Sequence, residues 1–132
     1  MILTNIVPRV SETDGVGHIN NVFVPIWFEA GRREIFRIFS PNLDFANWKL
    51  ALVKVTVEYV DQLYLAEHVE IRTGIEKIGN SSFTIREEIH QTNRLCAKGE
   101  AIYVNYSFKE KKSEAISNEV KNKLQSIKFI EK

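Results

Sequence analysis

One change of rhythm constrains this chain more than any other feature. From Asn21 to Phe39, apolar or small residues recur at helical spacing: Phe23, Trp27, Ala30, Gly31, Ile35, Ile38 and Phe39 share one face, with Glu29, Arg32, Arg33 and Arg37 mostly on the other. After that segment the period drops to about two residues. Val53, Val55, Val57 and Tyr59 alternate with Lys54, Thr56 and Glu58, and Val69, Ile71, Thr73 and Ile75 alternate with Glu70, Arg72 and Glu76. Two further runs follow, Phe83 to His90 and Ala97 to Phe108. The pattern predicts one amphipathic helix followed by four half-buried strands. Turn signals near Ala66-Glu67, Gly79-Asn80 and Thr92-Asn93 predict hairpins, and hence an antiparallel meander. A first strand over Ile2 to Val10 and a peripheral C-terminal helix over Glu114 to Ser126 complete the reading. The fold class is therefore α+β, with a single helix covering one face of a five-stranded sheet.

Local chemistry sharpens the helix. Asn20 or Asn21 can cap its first turn through a side-chain oxygen, and Ser40-Pro41-Asn42 stops it. Pro25 moves the expected start of regular helix to near Val24, while Gly31, costly inside a helix, implies that something packs very close there.

The 132 residues carry a formal charge of +1, which supplies no electrostatic case for nucleic acid or an acidic membrane surface. They fit one domain, residues 1–132, without repeats or linker-like stretches. The one cysteine, Cys96, can form no internal disulfide, and the start MILTNIVPRV lacks the pattern of a secretory signal, so the expected compartment is the cytoplasm. No apolar run approaches the roughly 20 residues that span a bilayer. The three histidines, His18, His68 and His90, form no ligand-spaced pair with Cys96, so no metal is expected.

The segment before the helix carries the chemistry. It reads E-T-D-G-V-G-H-I-N-N from Glu12 to Asn21, followed by F-E-A-G-R from Phe28 to Arg32 and, later, K-I-G-N-S-S-F from Lys77 to Phe83. With the order of strand, helix and four strands, these motifs resemble the hotdog-fold acyl-CoA thioesterases of the 4-hydroxybenzoyl-CoA thioesterase family, over about residues 5 to 125. The resemblance implies a hotdog fold, with the sheet wrapped around the central helix. It also implies hydrolysis of an acyl-CoA to free acid and coenzyme A, with Asp14 as nucleophile or general base. Coenzyme A would belong to the substrate, and no other cofactor is implied.

Thioester hydrolysis needs a group that attacks or activates water and donors that hold the developing oxyanion. Asp14 answers the first need, and backbone N–H groups at the helix start answer the second. Gly15 and Gly17 allow close backbone approach. The resemblance places Asp14, Gly17, His18, Asn20 and Asn21 in the catalytic set. Asn20 and Asn21 serve equally well as caps, His18 is read chiefly as a loop-shaping partner, and Glu12 as structural. Val24, Trp27, Glu29, Lys77, Ser81, Ser82 and Phe83 are the candidate substrate contacts. Trp27 and Phe83 fit a core equally well, and Glu29 reads first as an i,i+4 partner of Arg33. Val24 and Pro25 stand where relatives carry a tyrosine and an aliphatic residue. At Gly79-Asn80 the basic residues that grip coenzyme A in some relatives are missing.

The implied partners are an acyl-CoA or an acyl carrier protein and further copies of the chain, in a homodimer or homotetramer with the site between subunits. Two rivals stand beside the hydrolase: a hotdog module that binds acyl-CoA or acyl carrier protein without turnover, and a dehydratase using His18 with Glu29. The G-H-I-N-N context favours the hydrolase.

Overall fold

The computed structural model describes residues 1–131. The elements run β1 (Ile2–Ile6), a 3-10 turn (Val10–Glu12), α1 (Phe23–Ala30), α2 (Arg33–Phe39), β2 (Leu50–Tyr59), β3 (Val69–Ile78), β4 (Ser82–Gln91), β5 (Arg94–Ser107), β6 (Lys112–Ser113) and α3 (Asn118–Gln125). The sheet has the order β1-β3-β4-β5-β2, with the two-residue β6 added on β5, and every pair of neighbours is antiparallel. It curls around α1 and α2 in the expected α+β hotdog arrangement. Pro8 lies beyond the end of β1, which is shorter than expected, and α3 begins after its cap Ser117, whose hydroxyl accepts the Val120 N–H at 3.2 Å.

The meander holds for β3, β4 and β5 but not for β2. Residues 60 to 68 form no hairpin; they cross the sheet, because β2 pairs with the long strand β5 while β3 lies between β1 and β4. The pairing persists past the end of β2, where the N–H groups of Val60 and Asp61 both donate to the Cys96 carbonyl. This leaves β2 at the edge, and of the residues whose alternation suggested half-burial Val57 alone is half-buried, packed against the core under α1. Leu52, Val53, Val55 and Tyr59 are 48, 58, 41 and 53% exposed.

The expected single helix is two segments. At Gly31 and Arg32 the N–H groups donate to Phe28 and Glu29, three residues back, so the helix tightens locally before resuming. Both residues keep right-handed dihedrals. Two contacts fix this junction. A Cβ on Gly31 would lie 2.5 Å from Thr73 Oγ1, which confirms the close packing read from the sequence. Arg32 turns inward rather than outward, where its guanidinium binds both oxygens of Glu87 and donates to Tyr103 Oη at 3.1 Å. Pro25 is the third residue of α1, in the first turn, where a missing N–H breaks no interior bond.

The apolar core divides at that ion pair. Under α1 lie Val24, Trp27, Phe28, Ile71, Ile89 and Ala97, and under α2 lie Ile35, Leu50, Phe83, Ile85, Tyr103 and Leu124. Along β3, β1 covers Val69 to Thr73, and a C-terminal segment takes over from there. Ile75 donates to the Ile127 carbonyl at 2.9 Å and accepts from Phe129 N–H at 3.0 Å. Gly74 makes room for this segment, since a Cβ there would lie 2.5 Å from Phe129 Cα.

Candidate active site

The loop ahead of α1 is a small closed frame. Asp14 N–H donates to His18 O at 2.9 Å and Asn20 N–H donates to Glu12 O at 2.8 Å. Between them Gly15 and Gly17 adopt φ of +91° and +89°, a region that side chains other than glycine enter only with strain. The frame is tied to the crossing connection, as Ile19 N–H donates to Leu63 O at 2.8 Å and Leu65 N–H to Gly17 O at 3.3 Å.

Beneath the frame Glu12 is 2% exposed. Its carboxylate accepts from Arg9 N–H at 2.7 Å, the Arg9 guanidinium at 3.2 Å and Trp27 Nε1 at 2.9 Å. Burial pushes this carboxyl up, but the bonds from Arg9 and Trp27 outweigh it and hold Glu12 below the usual range. Its structural reading stands, and it explains why Trp27 is core.

Above the frame Asp14 is open to solvent. One oxygen accepts the Val16 N–H at 3.0 Å, and the other faces His18 Nδ1 at 4.0 Å, beyond hydrogen-bond reach. His18 packs edge-on against Tyr64, with ring centroids 5.1 Å apart. Asn20 Oδ1 accepts the Val22 N–H at 3.1 Å, one residue before α1, and the Asn20 carbonyl accepts from Phe23. The Asn21 carbonyl accepts Val24 N–H at 3.2 Å and the Tyr59 hydroxyl at 3.0 Å. A cleft of about 430 Å³ opens beside this helix start, lined by Ile19, Asn21, Val24, Tyr59, Leu63 and Cys96 among others.

The structure therefore brings together Asp14, Gly17, His18, Asn20, Asn21, Val24 and Trp27. It does not bring Lys77, Ser81, Ser82 or Phe83 to them within one chain. Gln91 binds both backbone groups of Tyr64, next to His18, whereas Phe83 lies at the opposite end of β4. Eight strand residues at about 3.3 Å each separate the two groups by roughly 26 Å. Phe83 is buried between Phe39 and Tyr103, in the core. Glu29 is exposed and, among the described residues, makes no ion pair with Arg33, so the i,i+4 pairing is not formed.

Sequence reasoning missed three residues here. Tyr59 reads as an ordinary inward strand residue, and nothing in its spacing signals contact with Asn21. Arg32 and Glu87 did leave a signal: Arg32 falls in phase with Phe28 and Ile35, and Glu87 lies between the inward Ile85 and Ile89. Opposite charges at two core positions are a buried pair. Burial works against the Arg32 guanidinium, but Glu87 carries it above its ordinary value; burial drives the Glu87 carboxyl up despite Arg32.

No group of three or more His, Cys, Asp and Glu residues suited to a metal ion occurs among the described residues. Nor, among them, is any helix long and apolar enough to cross a membrane. The arrangement presents an accessible carboxylate on a hydrogen-bonded loop, next to a helix start and an open cleft.

Comparison with known proteins decides the family. Residues 8–124 match the pattern of the thioesterase-like superfamily. The chain belongs to this superfamily. A predicted thioesterase from Bacillus stearothermophilus is 50% identical over 99% of this chain and 98% of that one, with a TM-score of 0.94. More distant likenesses support the hotdog fold alone. A thioesterase from Thermus thermophilus, complexed with coenzyme A and Zn, is 17% identical over 96% of this chain and 92% of its own, with a TM-score of 0.84. A Staphylococcus aureus protein in complex with CoA is 11% identical over 99% and 87%, with a TM-score of 0.83. No curated protein matches the sequence. This thioesterase-like chain is, by class, a thioester hydrolase.

Proposed function

We propose that the protein hydrolyses an acyl-CoA to free acid and coenzyme A in the manner of the 4-hydroxybenzoyl-CoA thioesterase family, with Asp14 as the catalytic carboxylate. The observation that carries this reading is the position of Asp14: exposed, held through one oxygen only, and set on a glycine-dependent turn before α1. As a general base it would take a proton from water as the oxygen attacks the thioester carbonyl. As a nucleophile it would form a mixed anhydride that water then opens. In both routes the carbon–sulfur bond breaks and the thiol of coenzyme A leaves with a proton. The oxyanion would be held by backbone N–H groups of the loop ahead of α1, because those of Val22, Phe23 and Val24 already donate to Asn20 and Asn21 and Pro25 has none. The chemistry requires no metal or other cofactor, and the coenzyme A of two solved likenesses supports a CoA ester over an acyl carrier protein. The proposed setting is the cytoplasm.

The complete site would lie between two copies. An exposed edge strand with four open apolar residues is a surface for pairing. Two β2 strands paired about a two-fold axis run antiparallel, so the Tyr59 end of one meets the Leu50 end of the other. Leu50 is opposite Asn105, whose N–H donates to Ser81 O at 2.7 Å. Such a homodimer would carry Lys77, Ser81 and Ser82 of one subunit toward Asp14 of its partner, closing the roughly 26 Å gap within one chain. Pairing of dimers into a tetramer is compatible with this site.

The test is thiol release from short, medium, branched and aromatic acyl-CoAs by the wild type and Asp14→Asn. The expected result is turnover on one class and a loss of about a hundredfold or more in the variant. Acyl-CoA binding without turnover by the wild type would turn the reading to a binding module.

A further inference from the structure

Pro25 brings no N–H to the first turn of α1, and the Tyr59 hydroxyl donates to the carbonyl just ahead of that turn. Asn21 lies just ahead of the N-cap Val22, and an N–H at residue 25 could reach back to its carbonyl only as in a helix one residue longer. Proline has no N–H to give. The Asn21 carbonyl is left with the Val24 N–H at 3.2 Å, a longer bond from three residues ahead. The Tyr59 hydroxyl, from β2 and 38 residues along the chain, also donates to that carbonyl, at 3.0 Å.

We infer that Tyr59 is a positioning residue, whose hydroxyl holds Asn21 and the first turn of α1 in place at the wall of the cleft where the thioester would bind. This rests on the acyl-CoA hydrolase reading given above. Three observations support it. Tyr59 is 53% exposed within one chain, so the apolar core does not require the bond. Val22, the N-cap of α1, makes no side-chain cap bond, and Asn20 Oδ1 reaches only the N–H of Val22. Tyr59, Asn21 and Val24 also line one cleft, so the tether lies at the site and not behind it.

The inference couples two residues that do not follow one another in any motif, and that coupling is its test. Tyr59→Phe removes only the hydroxyl. The expected result is a fall in kcat of about three- to tenfold, the scale of one neutral hydrogen bond, with KM and melting temperature unchanged. Amide hydrogen exchange at Asn21 to Val24 should quicken, while the sheet amides stay as in the wild type. Adding Pro25→Ala to Tyr59→Phe restores a backbone donor to Asn21, and should slow that exchange again and recover part of kcat. A merely structural tyrosine would show no such rescue. Unchanged exchange at Asn21 to Val24 in Tyr59→Phe, faster exchange with unchanged kcat, or absence of rescue by Pro25→Ala each overturns the inference. If the wild type hydrolyses no acyl-CoA, the proposed function fails separately, and the exchange and rescue measurements still decide whether the tether exists.

Discussion

Removing either member of the buried Arg32–Glu87 pair should destabilise the protein, but the two losses should respond differently to pH. Glu87 is fully buried and Arg32 is 2% exposed, with Tyr103 as the only other side chain bonded to the pair among the described residues. In Arg32→Met the carboxyl loses the group that opposed its burial, and its folded pKa rises further above the ordinary value. It then folds as a neutral acid. Keeping a carboxyl with an ordinary pKa near about 4.3 protonated at pH 7 costs about 3.7 kcal/mol, and at pH 5 about 1 kcal/mol. The sign follows from proton counting: the folded variant holds a proton that the unfolded chain has released, so stability rises as pH falls toward the unfolded pKa. In Glu87→Gln the stranded group is a guanidinium, which does not give up its proton. That loss, about 3–5 kcal/mol, has no such relief. Urea unfolding at pH 5, 6 and 7, at one fixed protein concentration because subunit association adds to stability, should show Arg32→Met gaining about 2.7 kcal/mol on Glu87→Gln between pH 7 and pH 5. Parallel pH dependences in the two variants would refute the reasoning, since they would mean that water reaches the pair and no buried charge is stranded.

Two further outcomes follow from the fold. Glu12→Gln should cost about 1–3 kcal/mol at pH 7; because the Glu12 carboxyl is held below the usual range, its contribution is present above about pH 4.3 and disappears as pH falls through its folded value, which Trp27 fluorescence during unfolding can follow. Val55→Lys, on the exposed face of β2, should halve the molar mass measured by light scattering and abolish turnover with it; an active monomer would contradict a site shared between subunits.

How much of this was readable beforehand depends on what each residue reports. The inward Ile71, Ile85, Ile89 and Ala101 alternate cleanly because both neighbours of their strands are present in the same chain. β2 alternates just as cleanly, yet Val55 and Tyr59 remain exposed; periodicity says which residues share a face, not whether anything covers it. Its pairing partner was equally hidden, because a nine-residue connection with a turn signal can close a hairpin or cross a sheet. The loop was the most legible part, since Gly15 and Gly17 occupy positive φ that few other residues tolerate. The bond between Tyr59 and Asn21 spans 38 residues and leaves no local trace.

The seat of Ile127 to Phe129 on β3 also bears on how the protein is made. Synthesis proceeds from the N-terminus, so β1, the helices and all the long strands emerge before the residues that cover Gly74 and Ile75. Until they arrive, half of one sheet margin stays unsatisfied in a chain that is otherwise able to fold. During that interval a nascent chain is most open to mispairing with its neighbours or to capture by a chaperone. A ribosome that stalls short of Ile127 would therefore release a folded body with a sticky flank, and quality control would meet it there before any catalysis could begin.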